Sequence, residues 1–350
     1  MLYNAKNPHG GDVYAGDIDL DFSANTNPFG VPEGVKSAIS VCLDKLDRYP
    51  DPYCRKLISA IAAHADVPKG YILGGNGAAE LIYSWCEAAR PKNAIELAPT
   101  FSEYSVALEC AGCEVHRHLL REDEGFAVTD RLLSDIEKLR PDSVFLCDPN
   151  NPTGRLTDPL LKAELLETCA RLGIRLFADE CFLDFTGGKS YVGKASSYPN
   201  LTVLKAFTKI YGMAGIRLGY AISSDAELLK KMSRTVQPWN VSIIAQEAGT
   251  AALRETGYIE KTKRLIEKER QRLAVELSAL GLTVFPSDAN FLLFKGDPSL
   301  SGELRKHGIA LRDCSNYVGL GQGFFRTAVK LPEQNDRLIE AIRGVLWQKT

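Results

Sequence analysis

From about Pro50 to Ala221, short and nearly unbroken apolar runs alternate with longer segments whose apolar residues recur at helical spacing. The clearest runs are Ser143-Val-Phe-Leu-Cys147, Ile174-Arg-Leu-Phe-Ala178 and Leu201-Thr-Val-Leu-Lys-Ala-Phe207, and they read as strands. Strands of this kind separated by amphipathic helices predict a doubly wound sheet with helices on both faces. A helical stretch from Pro32 to Asp47 precedes this region, behind an N-terminal arm. After it, helices near Gln246 to Leu280 lead to strand-like runs at Leu282–Phe285, Phe291–Phe294 and Phe324–Val329, then to a final helix after Pro332. The expected division is an arm (1–30), a large domain (31–245) and a small C-terminal domain (246–350). The boundary is expected inside a long helix near residue 245, without a flexible linker. No repeat or low-complexity segment interrupts the pattern.

In an open parallel sheet, ligands bind outside the carboxyl ends of the strands, so the residues that follow each run carry the chemistry. The first run opens into Asp148-Pro-Asn-Asn-Pro-Thr-Gly154, a turn that presents the Asn151 amide beyond the strand. The second ends at Asp179-Glu180, where a carboxylate can pair with a protonated pyridine nitrogen. The third leads to Thr208-Lys209, with Arg217 eight residues further on among glycines. A lysine at the exit of an apolar strand can be desolvated enough to offer a neutral amine to an aldehyde, and a guanidinium nearby can clamp a phosphate. An isolated lysine is ordinarily a solvated surface charge. Three converging strand ends change that reading to a Schiff-base site for pyridoxal 5'-phosphate (PLP). Tyr71-Ile-Leu-Gly-Gly-Asn-Gly77-Ala-Ala79 and the residues up to Trp85 add a strand, a glycine turn and a helix start, with backbone N–H groups placed to favour an anion. The rival reading of that turn is a dinucleotide fold with Glu96 at the ribose. Its third glycine is missing, and Lys209, Asp179 and Asn151 would have no part in it.

Pro149-Asn-Asn-Pro-Thr-Gly154, Asp179-Glu180, Thr208-Lys209 with Arg217, and Arg326 in Gly323-Phe-Phe-Arg-Thr-Ala-Val329 resemble, nearly end to end, a known family. It is the fold-type I PLP enzymes of the aspartate aminotransferase superfamily, in the branch of histidinol-phosphate aminotransferases and threonine-phosphate decarboxylases. The resemblance implies an α/β, aspartate aminotransferase-like fold, with a mainly parallel seven-stranded sheet in the large domain and a smaller α+β domain. It implies that Lys209 binds PLP covalently and carries the proton, that Asp179 faces the pyridine nitrogen, and that Asn151 donates to the ring hydroxyl oxygen. Thr208, Arg217 and the backbone of Gly77, Ala78 and Ala79 would hold the phosphate. Phe101, in Pro99-Thr-Phe-Ser-Glu-Tyr104, would lie against the ring, with Tyr104 as a competitor. Tyr49 would reach the cofactor phosphate of the neighbouring subunit in a homodimer.

Within the branch, His9-Gly-Gly11, Asp21-Phe-Ser-Ala-Asn25-Thr-Asn-Pro-Phe-Gly30, Gln237-Pro-Trp-Asn-Val241 and Leu311-Arg-Asp-Cys-Ser-Asn-Tyr-Val-Gly-Leu320 are similar to the decarboxylases. Phe182 stands where many aminotransferases have a tyrosine, another likeness to the decarboxylases. The implied reaction converts L-threonine O-3-phosphate to (R)-1-amino-2-propanol O-2-phosphate and CO2, in cobalamin biosynthesis; the alternative is histidinol-phosphate aminotransfer. Only the Cα bond held perpendicular to the cofactor ring overlaps the electron sink, so the reaction depends on where the substrate's anions are held. His9, Asn25, Asn151, Arg312 and Arg326 are the implied substrate ligands. Which of His9, Arg312 and Arg326 meets phosphate and which meets carboxylate stays open.

The bulk properties fit a packed enzyme: 350 residues, 45% hydrophobic, with 42 Lys+Arg against 44 Asp+Glu for a net charge of −2. That charge gives no overall nucleic-acid footprint, and no helix-turn-helix fits before residue 30, which argues against a PLP-binding regulator. The start of the chain lacks an apolar signal core and no run of about eighteen apolar residues occurs, so a cytosolic enzyme without a membrane partner is expected. Nine cysteines are scattered singly except for Cys110-Ala-Gly-Cys113. His116 and His118 follow in strand-like alternation, and no metal site is expected from this set.

Overall fold

The computed structural model describes residues 9–14 and 16–347. Seven strands form the main sheet: β1 (Ile72–Gly75), β2 (Asn93–Ala98), β3 (Glu114–Leu119), β4 (Ser143–Cys147), β5 (Arg175–Asp179), β6 (Leu201–Ala206) and β7 (Gly219–Ile222). Their spatial order is β1-β7-β6-β5-β4-β2-β3. All neighbours are parallel except at β7, which opposes both β1 and β6. Six strands therefore end at one edge, and β7 begins there.

The two-residue period of the strands sorts their side chains into two cores. Val144, Leu146, Leu176, Ala178, Leu201 and Val203 enter one. Phe145, Cys147, Phe177, Leu204 and Ala206 enter the other. In the second core Trp85 meets Phe145 and Phe177 edge-on, with ring centroids 5.2 and 5.3 Å away, and its indole N–H donates to Thr202 Oγ1 at 3.0 Å. That hydrogen bond satisfies the indole's single polar atom in a fully buried position. On the other face, the helix Pro159–Leu172 has defined ends. Asp158 accepts from the N–H groups of Leu160 and Leu161, Pro159 occupies the first turn, and Gly173 closes the helix in a left-handed conformation.

The second sheet is antiparallel: β8 (Thr283–Val284), β9 (Phe291–Lys295), β10 (Arg312–Asp313) and β11 (Phe324–Ala328), in the order β10-β11-β9-β8. Its core combines Leu273, Phe294, Phe325 and Leu338 with Leu20 and Phe22 from the start of the chain. The arm is tied in because Leu20–Asp21 pairs in parallel with Ile309–Ala310. Residue 245 lies in a ten-residue helix, Ile243–Ala252, whose Ala245, Ala248 and Ala252 belong to the core of the main sheet. A separate helix of 22 residues, Tyr258–Ala279, follows and leads to the second sheet. No helix among the described residues is long and apolar enough to cross a membrane.

Candidate active site

The strand ends converge as the alternation of strands and helices requires. Asn151 follows β4, Asp179 ends β5 and Lys209 follows β6, while the reversal of β7 brings Arg217 to the same edge at the strand's beginning. All four line a cavity of about 400 Å³. Arg312 and Arg326, partners in register on β10 and β11, line it from the second sheet, and His9 and Asn25 close the remaining side.

Lys209 lies in a single helical turn, Phe207–Ile210, held from outside by Asn27. The Asn27 N–H donates to the Lys209 carbonyl at 2.9 Å, and its side-chain amide donates to the Ile210 carbonyl at 2.7 Å. Burial pushes the Lys209 ammonium down to about 8, with Arg326 and Arg217 adding to the effect against the opposing pull of Cys181 and Asp179. Its Nζ is 5.8 Å from the centroid of the Phe182 ring.

Asp179 has a donor on each oxygen: the Tyr104 hydroxyl at 2.6 Å on Oδ2 and the Cys181 N–H at 2.9 Å on Oδ1. Burial, reinforced by the Asp179 carboxylate, pushes the Tyr104 hydroxyl well up, so it remains a donor. This separates the two aromatic residues that the sequence left in competition. Tyr104 is fully buried and committed to Asp179, and Phe101 meets it edge-on at 5.6 Å. Asn151 is oriented from the opposite side: its Oδ1 accepts from Arg326 Nη1, which leaves the amide NH2 as its donor. Arg326 Nη2 donates to the Ser23 carbonyl at 2.6 Å. Arg312 donates to the Asp313 carbonyl at 2.7 Å and to Asn316 Oδ1 at 2.8 Å, above the Tyr317 ring.

Gly77 precedes the helix Ala78–Ala89 at φ 82°, and a Cβ there would sit 2.5 Å from Arg217 Nη2. The helix N-terminus and the guanidinium therefore approach one point, lined also by Ala78, Ala79 and Thr208, which suits a phosphate. Asn25 is 2% exposed, and both polar atoms of its side-chain amide lack a hydrogen-bond partner. A buried amide left unsatisfied costs about 1–3 kcal/mol, so an unpaired one on a cavity wall suits a polar ligand. A low-lying lysine, a buried carboxylate, a phosphate cradle and an unpaired amide fit a phosphorylated pyridine aldehyde and a charged substrate beside it.

Over residues 17–342 the chain matches the model of the family "Aminotransferase class I and II". It belongs to that family. It is accordingly an enzyme, with PLP as its cofactor. It is 39% identical to the threonine-phosphate decarboxylase of Salmonella typhimurium, across 99% of this chain and 98% of that one. The crystal structure of the histidinol-phosphate aminotransferase from Clostridium acetobutylicum superposes with a TM-score of 0.87 at 31% identity, covering 94% of this chain and 99% of that one. That of L-threonine-O-3-phosphate decarboxylase from Porphyromonas gingivalis gives 0.84 at 25% identity, with 94% and 99% covered.

The resemblance assigns Tyr49 to the neighbouring subunit's cofactor and His9 to this chain's own substrate. Tyr49 is 78% exposed and stacks on Trp239 at 4.5 Å, outside the cavity of its own chain. His9 lines the cavity, but its Nε2 is 2.8 Å from Glu103 Oε1.

Behind the strand ends lies a buried ionic network that the sequence reading did not find. Lys162 Nζ donates to Asp148 Oδ2 at 2.5 Å and to the Lys189 carbonyl at 2.9 Å, and lies 3.5 Å from Glu180 Oε1. Lys205 Nζ donates to Asp184 Oδ1 at 2.7 Å and lies 3.9 Å from Glu180 Oε2. Glu180 also accepts from Ser190 Oγ and from the Tyr191 N–H. Burial pushes the Glu180 carboxyl up, while Lys205 and Lys162 pull the other way. Burial would lower the Lys205 ammonium, but Asp184 and Glu180 outweigh it and hold it up. The signal available in the sequence was Lys205 itself, an ionisable residue inside the apolar run of β6.

Proposed function

We propose that this chain decarboxylates L-threonine O-3-phosphate, releasing CO2 and (R)-1-amino-2-propanol O-2-phosphate as a step of cobalamin biosynthesis. The observation that carries the reading is the cavity's second set of anion-binding groups. Once Arg217 and the helix N-terminus are assigned to the cofactor phosphate, Arg312, Arg326 and the unpaired Asn25 remain. A substrate bearing both a carboxylate and a phosphate matches two guanidinium forks. The 39% identity to the Salmonella enzyme points the same way.

Bound PLP supplies a sink for the electron pair left when a bond to the substrate Cα breaks. Lys209 would hold it, Asp179 would keep a proton on the ring nitrogen, and Asn151 would donate to the ring oxygen. Thr208, Arg217 and the backbone of Gly77, Ala78 and Ala79 would bind its phosphate, and Phe101 would cover its ring. Arg326 and Arg312 would hold the substrate's carboxylate and phosphate, and that positioning would decide which bond to Cα is broken. Lys209 would deliver, from its ammonium, the proton that takes the place of the departing CO2 at the substrate Cα. Held down to about 8, this ammonium gives up a proton more readily than an ordinary lysine does. The reading includes a cytoplasmic homodimer in which the exposed Tyr49 reaches the partner's cofactor, and a division into arm, large and small domains.

Incubation with carboxyl-labelled O-phosphothreonine tests it. The expected products are labelled CO2 and aminopropanol phosphate; a 2-oxo acid without CO2 would reject the decarboxylase. Glutamate formed from histidinol phosphate and 2-oxoglutarate would establish the aminotransferase in its place.

A further inference from the structure

We propose that a small cleft between the end of β2 and residues 316–318, lined by the Glu96 carboxylate, binds a monovalent inorganic cation of the size of Na+ or K+. The cleft adjoins the substrate cavity without being part of it, and only its effect on substrate binding rests on the function proposed above.

Glu96, which a dinucleotide fold would have placed at a ribose, does not line the active-site cavity. It lies in β2, 3% exposed, with Phe145 opposite it on β4 and Arg117 opposite it on β3. Its Oε1 accepts from Arg117 Nε at 3.1 Å, while its Oε2 has no hydrogen-bond partner. The guanidinium is shared, because Arg117 Nη2 is also 3.7 Å from Glu109 Oε1. One positive charge thus serves two carboxylates, and the buried one keeps an uncovered oxygen. A buried carboxylate in that state calls for a further counter-charge or a proton.

The cleft has a volume of about 50 Å³, room for an ion and about one or two waters. Thr100, Ser102, Ser105, Asn316 and Tyr317 share its walls with Glu96. Two of the hydroxyls have their protons engaged elsewhere: Thr100 Oγ1 donates to Asn150 Oδ1 at 2.7 Å, and Ser105 Oγ to the Ser102 carbonyl at 3.2 Å. What they offer a guest is lone pairs. Acceptor oxygens around one carboxylate suit a hard cation of single charge. No group of three His, Cys, Asp or Glu able to hold a metal ion occurs among the described residues, so a multiply charged ion has no such set here.

Burial raises the Glu96 carboxyl to about 7, with Glu109 adding to the rise and Arg117 and Ser105 opposing it. Cation and proton therefore compete for one carboxylate near neutral pH. On the loop side stand Tyr317, whose hydroxyl burial pushes up so that it stays neutral, and Arg312, which donates to Asn316 Oδ1 at 2.8 Å. Tyr317 lines the cleft and the substrate cavity alike, and the Arg312 guanidinium lies 5.1 Å from its ring centroid. An ion held against Glu96 would fix Tyr317 and, through it, Arg312.

The PLP-loaded enzyme in choline chloride, titrated with NaCl at constant ionic strength, tests this. Broadening of the sodium NMR signal reports binding without any substrate. Wild-type enzyme is expected to broaden it saturably, KCl to compete, and Glu96→Gln and Ser105→Ala to weaken the effect. From about pH 8 to about pH 6 the affinity is expected to fall about tenfold, as the carboxylate passes from mostly ionised to mostly protonated. No broadening by wild type, or equal broadening by Glu96→Gln, would overturn the site; should that variant fail to fold, equal broadening by Ser105→Ala does the same. KM for O-phosphothreonine is expected to drop by at least about fivefold between choline and saturating sodium in wild type, and to stay level in Glu96→Gln. Saturable sodium binding with no change in KM would overturn the link to Tyr317. Sodium bound through Glu96 in an enzyme that releases no CO2 from O-phosphothreonine would support the cation site and reject the decarboxylase.

Discussion

The ends of β4, β5 and β6 carry two polar clusters, one toward the cavity and one behind it, and the two are completed differently. By strand alternation Asp148, Glu180 and Lys205 continue the face of Leu146, Ala178 and Val203, while Cys147 and Asp179 continue the opposite face. Behind the strands, three carboxylates share two lysines and take further hydrogen bonds from Thr157, Ser190 and Tyr191. Toward the cavity, Lys209, Arg217 and Arg326 form no ion pair with a carboxylate among the described residues, and the Asn25 amide is unpaired. The rear cluster is saturated and holds the strand ends in register; the front one is left short of negative charge and waits for anions from outside.

Substitutions can separate these two properties. The largest effect is expected from Lys209→Ala, which should lower turnover by at least about 10²–10⁴-fold by removing the proton carrier, with little change in the urea midpoint because the amine has no partner to strand. Steady-state rates and denaturation on the same samples check both halves. Lys162→Met should do the reverse. It leaves Asp148 and Glu180 sharing too little positive charge, and stability measured by urea unfolding is expected to fall by about 3–5 kcal/mol. A midpoint equal to wild type would mean that the rear cluster does not hold the strand ends.

Tyr104→Phe touches the point where the two regions meet. It removes a donor to a carboxylate, an interaction of about 1.5–3 kcal/mol, and is expected to weaken PLP binding by about tenfold or more in equilibrium dialysis. The smallest effect is on rate against pH. Because the Lys209 ammonium is held down to about 8, the amine is half free near that pH and almost wholly free about one unit above it. Capture of PLP by the cofactor-free protein should therefore accelerate as pH rises and level off a little above 8, followed by visible absorbance. An ordinary lysine would keep accelerating toward about 10.4.

What could be read in advance divides along the same line. The main sheet was legible because β4, β5 and β6 are nearly uninterrupted apolar runs, and the residues following them stand out chemically. β10 was not, since two residues, Arg312–Asp313, carry no period. The arm's pairing with Ile309–Ala310 joins segments far apart in the chain, which no local pattern encodes. Tyr104 reads in the sequence as a competitor of Phe101 for the ring face; its hydroxyl on Asp179 gives it a different place. His9 was read for its ligand chemistry alone, because its capture by Glu103 is a tertiary contact. Lys162 looks like one more charged residue on an amphipathic helix; only the packing of Pro159–Leu172 against the sheet turns it inward.

The reversed direction of β7 has a consequence for how the molecule could be altered. Lys209 leaves β6 and Arg217 enters β7, so the anchoring amine and the phosphate clamp stand on the two sides of one short connection. Their spacing is a local ruler, set by that connection and independent of the longer crossovers elsewhere. Lengthening or shortening it would change the size of molecule the cavity can grip, whereas insertions at the far edge of the sheet would leave that dimension untouched.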